Sequence, residues 1–270
     1  MQYIDAHCHF WRLDRGDYGW LQEGGDLFAP IRRDYAPADY PGAGRMIVVQ
    51  AAPTVAETDY LLGLAASDAR IAGVVGWVDL ADANSIGTVE RLAKNPAFLG
   101  IRPMLMDIAD TNWLLEAPRA DMLAAVTQAR FCFDALVNTR HLEVLARFAA
   151  QNPDLPIVID HAAKPQPGPR DDWARGMRAL AADGRVYCKL SGLMTELPDP
   201  QDIRTVFAQL LDWFGPDRLI WGSDWPVMTL AGDYEDWMAL TQDLLSGLTA
   251  EARAAIMGGN AARFYGVSDG

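Results

Sequence analysis

The sequence predicts an α/β fold of the (β/α)8 type, a TIM barrel formed by a single domain over residues 1–270. Short apolar runs alternate about eight times with segments of helical spacing, and the runs are apolar on both faces, as in buried parallel strands. No linker or low-complexity tract divides the chain, and a length of 270 residues suits one barrel. An open, doubly wound sheet is the alternative.

The predicted strands are runs rich in aliphatic, β-branched and aromatic residues. They cover residues 2–9, 45–51, 71–80, 98–105, 131–137, 155–161, 185–191 and 217–224. Segments with helical spacing lie between them, and several open on a Thr, Ser or Asp that can cap a helix; they cover residues 54–67, 85–94, 121–129, 139–150, 171–182, 199–214 and 234–245. A final helix over residues 250–264 is expected to pack on the barrel.

Composition and charge exclude several classes of function. The formal net charge of −13 and the scattered arginines leave no basic face for nucleic acid. No apolar stretch approaches the roughly 18 to 20 residues of a membrane helix. Because the first residues form a strand rather than a basic leader with an apolar signal core, we expect a soluble, cytoplasmic protein without membrane partners. The oligomeric state stays open.

Three cysteines lie far apart, each in a different predicted strand: Cys8, Cys132 and Cys188. Their odd number and their spacing favour buried thiols over a disulfide or a zinc cluster. Strand side chains alternate between the two faces of a sheet, so Cys8 should face away from His7 and His9.

Four residues with catalytic or metal-binding chemistry lie at the ends of predicted strands. His7 and His9 share one face of the first strand, His161 ends the sixth, and Asp224 ends the eighth. In a parallel barrel all carboxyl ends of strands lie on one rim, so these side chains should converge. Each alone could be a buried structural histidine or a turn-capping aspartate. Together they indicate a functional site.

The connection after the first strand, residues 10–43, is too long for a simple turn and is rich in aromatic side chains. It leaves from the rim where barrel enzymes build their sites, so it is expected to cover a pocket. Most of its rings should pack against the barrel. Trp11 and Trp20 are the candidates for contact with a ligand.

Three further residues are candidate substrate contacts. Arg102, near the end of the fourth strand, and Lys164, which follows His161, could donate hydrogen bonds to hydroxyl or carboxylate groups. A salt bridge for Arg102 and a solvated loop position for Lys164 are the alternatives. Trp225 follows Asp224 directly and could offer a flat face to a sugar-like ring. Asp79 and Asp107, which follow the third and fourth strands, receive no role.

Five motifs, which together span the chain, resemble the amidohydrolase superfamily. They read Asp5-Ala-His-Cys-His9-Phe-Trp11, Gly100-Ile-Arg-Pro103, Asp160-His-Ala-Ala-Lys-Pro165, Trp221-Gly-Ser-Asp-Trp-Pro226 and Gly259-Asn-Ala-Ala-Arg-Phe-Tyr265. The sequence is most similar to the metal-poor lactonase branch, which includes L-fuconolactonase-like, L-rhamnonolactonase-like and 2-pyrone-4,6-dicarboxylate-lactonase-like hydrolases. The resemblance implies a distorted (β/α)8 barrel, hydrolysis of a cyclic ester, and roles for His7, His9, His161 and Asp224.

One departure from the superfamily pattern bears on the metal. Many members present a lysine or histidine from the fifth strand that bridges two metal ions, whereas residues 130–137 here read Arg-Phe-Cys-Phe-Asp-Ala-Leu-Val. His141 lies just beyond and is interpreted as a surface or capping residue. We therefore expect no binuclear centre. One divalent ion, with zinc preferred, is expected instead, with the ligands His7, His9, His161 and Asp224. Metal-free catalysis, with imidazole N–H groups stabilising an oxyanion, stays open.

Ester hydrolysis requires a base for the attacking water, a polarised carbonyl and a proton for the leaving alkoxide. We assign the base to Asp224, with His161 as the second catalytic residue. The expected reaction opens a sugar aldonolactone to its aldonate. A metal-dependent decarboxylase or amide hydrolase of the same superfamily is one alternative, and a non-catalytic sugar-binding barrel is another.

Overall fold

A computed structural model describes residues 3–268 and places eight parallel strands in one sheet. Strands β1 to β8 are Ile4–Cys8, Arg45–Val49, Ile71–Gly76, Phe98–Ile101, Cys132–Ala135, Ile157–Ile159, Val186–Leu190 and Leu219–Trp221. Each strand pairs with the next one in the chain, and a parallel bridge between Cys8 and Trp225 joins the segment after β8 to β1. The predicted (β/α)8 barrel is confirmed, with strands shorter than the apolar runs.

Helices surround the sheet. Helices α1 to α12 are Gly19–Glu23, Val55–Ser67, Ile86–Leu92, Trp113–Glu116, Ala120–Gln128, Leu142–Gln151, Asp171–Ala181, Leu193–Glu196, Pro200–Phe214, Tyr234–Leu244, Ala250–Ala254 and Asn260–Tyr265. Thr54, Asp199 and Asp233 cap α2, α9 and α10 by accepting backbone N–H groups of the first turn. Within residues 3–268, every helix is too short or too polar to cross a bilayer.

The C-terminal segment closes one end of the barrel. A cluster of buried side chains from six strands packs against Ala261, Ala262 and Tyr265 of α12; these strand residues are Ile4, Ala6, Ile47, Val49, Val75, Cys132, Val158 and Ile220. The predicted helix over residues 250–264 is interrupted by a wide turn, Ala255–Gly259. A Cβ atom on Gly258 would lie 3.0 Å from the backbone nitrogen of Ile4, so glycine permits this close approach to β1.

The register of β1 directs the histidines inward. The pairing of β1 with β2 shifts between Asp5 and Cys8, as at a β-bulge. Cys8 consequently packs in the cluster between sheet and helices, whereas the His7 and His9 rings meet at a centroid distance of 4.9 Å on the other face. The predicted orientation of Cys8 is confirmed, and all three cysteines are buried and free.

Candidate active site

A cavity of about 450 Å³ opens at the carboxyl ends of the strands. His9, His161 and Asp224 line it, and His7 lies fully buried beside them. The other lining side chains are mainly apolar; they include Trp20, Leu27, Phe28, Met104, Met106, Leu136, Val227 and Leu230. The rim of the barrel thus carries an open cavity lined by imidazole and carboxylate groups.

Asp224 is the centre of the site. Its Oδ1 lies 3.3 Å from His9 Nε2 and 3.8 Å from His7 Nε2. His161 Nε2 is 3.9 Å from the same oxygen. The structure therefore brings together the four predicted residues: His7 of β1, His9 just after β1, and His161 and Asp224 from the segments after β6 and β8.

Strained backbone positions two of these residues. His161, Ala162, Ala163 and Lys164 all adopt left-handed conformations, with φ between 49° and 58°. Each costs a non-glycine residue on the order of 1 kcal/mol, and such strain is concentrated at functional sites. Asp224 also has a positive φ, of 61°, and its backbone N–H donates to the carbonyl oxygen of His7 at 2.7 Å. The carboxylate is thereby anchored to β1.

Hydrogen bonds fix the state of the His9 ring. Its Nδ1 lies 2.7 Å from the carbonyl oxygen of Val49, which can only accept, so Nδ1 carries the proton. The lone pair of neutral His9 is then on Nε2 and faces the Asp224 carboxylate. His9 Nε2 and Asp224 Oδ1 are then both acceptors and lie 3.3 Å apart, so a proton or a cation is needed between them.

A divalent ion fits this donor set. The lone-pair atoms of His7, His9 and Asp224 all lie within 4.8 Å of one another, so this buried group could hold a metal ion. Tetrahedral zinc with nitrogen and oxygen ligands requires separations of about 3.4 Å between ligand atoms, close to those around Asp224. A second buried group, His7, Asp160 and His161, meets the same distance criterion and shares His7 with the first.

The electrostatics of the cavity favour an ionised carboxylate beside neutral imidazole. Burial raises the pKa of Asp224, but the neighbouring imidazoles of His161 and His9 outweigh burial and lower that pKa below its usual range. Burial lowers the pKa of His161 to about 4, against the opposing pull of Asp224 and Asp160. At neutral pH Asp224 can therefore accept a proton.

The depressed pKa of His161 makes stability depend on pH. Between the folded value of about 4 and the usual 6.5, the unfolded chain binds more protons than the folded one. The contribution of His161 is fully present above pH 6.5 and is lost as the pH falls towards 4; it amounts to roughly 3 kcal/mol. In urea denaturation of metal-free protein, His161→Gln should flatten the pH dependence over this interval. An unchanged slope would contradict the assignment.

An ion network lies beneath the cavity. Lys189 of β7, fully buried, contacts Asp134 of β5 with its Nζ 2.5 Å from Oδ2, and Asp160 after β6 at 3.1 Å. Tyr265 of α12 donates its hydroxyl to Asp134. We did not predict these residues from the sequence. The available signal was the presence of single charged residues within otherwise apolar strands.

Three of the predicted substrate contacts lie at the cavity. Arg102 is almost completely buried in its wall, and its Nη1 is 3.4 Å from His7 Nε2. Lys164 also lines the cavity but forms an ion pair with Glu196. Trp20 contributes one wall, held by a hydrogen bond of 2.9 Å from its Nε1 to the Ala51 carbonyl oxygen.

The structure does not bring Trp11 and Trp225 to the cavity. Trp11 is fully buried, donates from Nε1 to the Arg33 carbonyl oxygen at 2.8 Å, and packs against Tyr35. The ring of Trp225 is 4% exposed and packs edge to face against Tyr35 and Tyr40. Other aromatic rings of the long connection cover both indoles, so neither offers a free face.

His141 takes part in a cap at the turn before α6, and it is buried. Its Nδ1 accepts the backbone N–H of Asn138 at 3.3 Å. The expectation of a capping residue is confirmed, and that of a surface residue is wrong because α6 and α7 pack against the turn that carries His141.

Comparisons with known proteins identify the family of this chain. The amidohydrolase family matches residues 4–267. An L-fucono-1,5-lactonase of Burkholderia ambifaria is 43% identical over 97% of this chain and 94% of its own length; another, of Burkholderia multivorans, is 38% identical over 98% and 96%. The crystal structure of a Burkholderia multivorans amidohydrolase with bound zinc superposes with a TM-score of 0.90 at 37% identity, covering 99% of this chain and all of the other. The predicted superfamily is confirmed: the chain belongs to the amidohydrolase family.

Proposed function

We propose that this protein is a lactonase that hydrolyses a sugar aldonolactone to its aldonate. The observation that carries the proposal is the Asp224 carboxylate, which lies among three imidazoles at the cavity. Two curated relatives with nearly full-length similarity are L-fucono-1,5-lactonases. At the level of a hydrolase that opens lactones, these relatives confirm the expectation from the sequence.

The charges in the cavity favour an uncharged polyhydroxy lactone over a dicarboxylate. Glu196 neutralises Lys164, and Asp107 adds an exposed carboxyl group at the cavity lining, whose pKa is raised by partial desolvation. Arg102 is the other lysine or arginine that lines the cavity within the described residues, and it is itself paired with buried Asp160, with 3.7 Å between Nη1 and Oδ2. Hydroxyl groups can donate to Asp107 and accept from Arg102, while the apolar walls cover ring carbons and any deoxy position.

In the proposed mechanism Asp224 removes a proton from the attacking water and returns it to the ring oxygen as the ester bond breaks. Ser191 Oγ lies 2.9 Å from His161 Nδ1, and a hydroxyl donating to this atom leaves the His161 proton on Nε2, which faces the cavity. This N–H group stabilises the oxyanion that forms at the carbonyl. Arg102 orients the substrate.

The proposed metal ligands are His7, His9 and Asp224. His161, predicted as a fourth ligand, lies farthest from Asp224 and is assigned to the substrate carbonyl instead. A divalent zinc ion bound there would lower the pKa of water and polarise the ester. Every proton transfer described above remains with the side chains.

Zinc binding should depend on His9, because the Val49 carbonyl fixes its Nε2 lone pair towards Asp224. In calorimetric titration of metal-free protein with zinc, His9→Gln should weaken binding by about 100-fold. His141→Gln is the matched control, since His141 lies outside the cavity lining. Equal affinities for the two variants would contradict the ligand assignment.

A screen of aldonolactones tests the proposed activity. We expect acid release, followed with a pH indicator, from the lactones of L-fuconate, L-rhamnonate or D-galactonate. Neutral sugar lactones should react faster than pyrone dicarboxylates, because the lining has few free cations. Absence of acid release from every lactone would overturn the proposal, and release of carbon dioxide from a carboxylated substrate would favour a decarboxylase.

A further inference from the structure

Lys189 is a buried charged group to which the proposed mechanism assigns no role. Its side chain is fully buried, and Nζ has two aligned hydrogen-bond partners, Asp134 Oδ2 at 2.5 Å and His7 Nδ1 at 3.1 Å. Asp160 Oδ1 is also 3.1 Å away, as an ion pair. A lysine ammonium has three N–H donors and no acceptor, so any hydrogen bond to His7 must be accepted by the ring.

His7 lies between two cations that compete for one lone pair. Lys189 Nζ is 3.1 Å from its Nδ1, and Arg102 Nη1 is 3.4 Å from its Nε2. A neutral imidazole has a single lone pair, so it can accept from only one of these donors. The shorter contact is that of Lys189, which places the lone pair on Nδ1.

Asp160 is the competing partner at the same nitrogen. Its Oδ1 is 3.4 Å from His7 Nδ1, but among the described residues neither of its carboxylate oxygens accepts an aligned hydrogen bond. A proton on Nδ1 would therefore have a poorly aligned acceptor and would face the Lys189 ammonium at 3.1 Å. Both features favour a proton on Nε2.

We propose that Lys189 is a positioning residue that holds metal-free His7 with its proton on Nε2. In this state His7 presents an N–H donor towards Asp224 and, if the proposed lactonase function holds, towards the substrate carbonyl. Zinc needs the Nε2 lone pair, so the proton must first move to Nδ1, where Asp160 becomes its acceptor. Lys189 thus lowers the affinity of the site for zinc and favours the donor role of His7.

The C-terminal helix supports this arrangement. Tyr265 of α12 donates its hydroxyl to Asp134, at 3.0 Å from Oδ1 and 2.8 Å from Oδ2, and Asp134 in turn holds Lys189. Burial opposes the charge on Lys189, but attraction to Asp134 and Asp160 outweighs burial and raises its pKa. Two carboxylate oxygens, at 2.5 Å and 3.1 Å from Nζ, balance the positive charge of the ammonium group that donates to His7.

Nitrogen NMR of the metal-free wild-type protein tests the proposal directly. With 15N-histidine labelling, the shifts of the two ring nitrogens separate a protonated nitrogen from one with a lone pair, and His7→Gln assigns the signals of His7 among the four histidines. We expect a protonated Nε2 and a lone pair on Nδ1. A protonated Nδ1 would overturn the proposal. No substrate is needed, so failure of the lactone screen leaves this test unaffected.

Two variants separate positioning from general destabilisation. Asp134→Asn removes one buried charge but keeps Lys189, so His7 should keep its proton on Nε2. The double variant Asp134→Asn/Lys189→Met has the same net charge in the network as the wild type, but it lacks the ammonium group that donates to His7. The His7 proton should then move to Nδ1, and zinc should bind about tenfold more tightly in titration with zinc alone. An unchanged His7 ring in a folded double variant would overturn the proposal; if that variant does not fold, the wild-type spectrum decides.

Discussion

Asp224→Asn is expected to lower kcat for lactone hydrolysis by about 10³-fold while KM changes only a few-fold. An amide of the same shape cannot take a proton from water, and it is a poor metal ligand. The backbone of residue 224 should stay in place, since its N–H donates to the His7 carbonyl oxygen and does not depend on the side chain. Initial rates measured with a pH-stat, corrected for spontaneous opening of the lactone, check this expectation.

Asp79→Asn is the matched control for that loss. Asp79 also follows a barrel strand, but its carboxylate accepts the backbone N–H of Ala81 at 2.9 Å, and it is absent from the cavity lining. Its kcat should stay within about twofold of the wild-type value, as for surface substitutions away from a site. Wild-type turnover in Asp224→Asn would remove Asp224 as the base. Sugar binding by the wild-type protein without turnover of any lactone would favour the non-catalytic barrel.

The barrel and its central site were accessible from sequence because both depend on local patterns. Apolar runs separated by capped helical segments specify βα units, and closure of parallel strands gathers their carboxyl ends on one rim. This closure brings His7, His9, His161 and Asp224 to the same rim. Apolar runs in the sequence overestimate the lengths of the strands, because a run continues past the last residue that pairs with the neighbouring strand. The run at 71–80 pairs only to Gly76, since the Trp77 N–H turns to Thr58 Oγ1.

The ion network was missed because its members are far apart in the chain and look ordinary one at a time. Asp134 and Lys189 are single charged residues in apolar strands, and strand periodicity alone places each on the interior face. Their pairing across β6 depends on the radius and stagger of the closed barrel, which a linear pattern does not encode. The same three-dimensional context determines that Tyr265 of the last helix contacts Asp134.

Which tryptophans line the cavity could not be predicted from the sequence. Trp11 and Trp225 lie near strand ends, where barrel enzymes bind ligands, so position favoured both as contacts. Whether a ring has a free face depends on the path of the long connection around it. That path brings Tyr35 against both indoles and leaves Trp20 at the cavity. Sequence patterns do not specify such packing between loops.

Gly192→Ala is expected to have the second large effect, on both activity and stability. Gly192 follows β7 with φ of +63°, and a Cβ atom there would lie 2.6 Å from His161 Nδ1 and 3.2 Å from Asp224 Oδ2. The methyl group must displace the His161 ring, which the left-handed turn and Ser191 hold in place. We expect kcat/KM to fall by at least about 100-fold, as for misplaced catalytic groups. The free energy of unfolding should fall by roughly 2 to 4 kcal/mol.

Gly168→Ala separates the clash from the backbone strain in that variant. Gly168 also has a positive φ, of +91°, but a Cβ atom at this position would have no neighbouring atom within 4 Å among the described residues. Its unfolding free energy should fall by only about 1 to 2 kcal/mol, from conformational strain, with kcat/KM unchanged. If both alanine variants lose activity equally, loop strain rather than displacement of His161 accounts for the loss. If Gly192→Ala keeps full activity, His161 is not held at the position on which the proposed oxyanion contact depends.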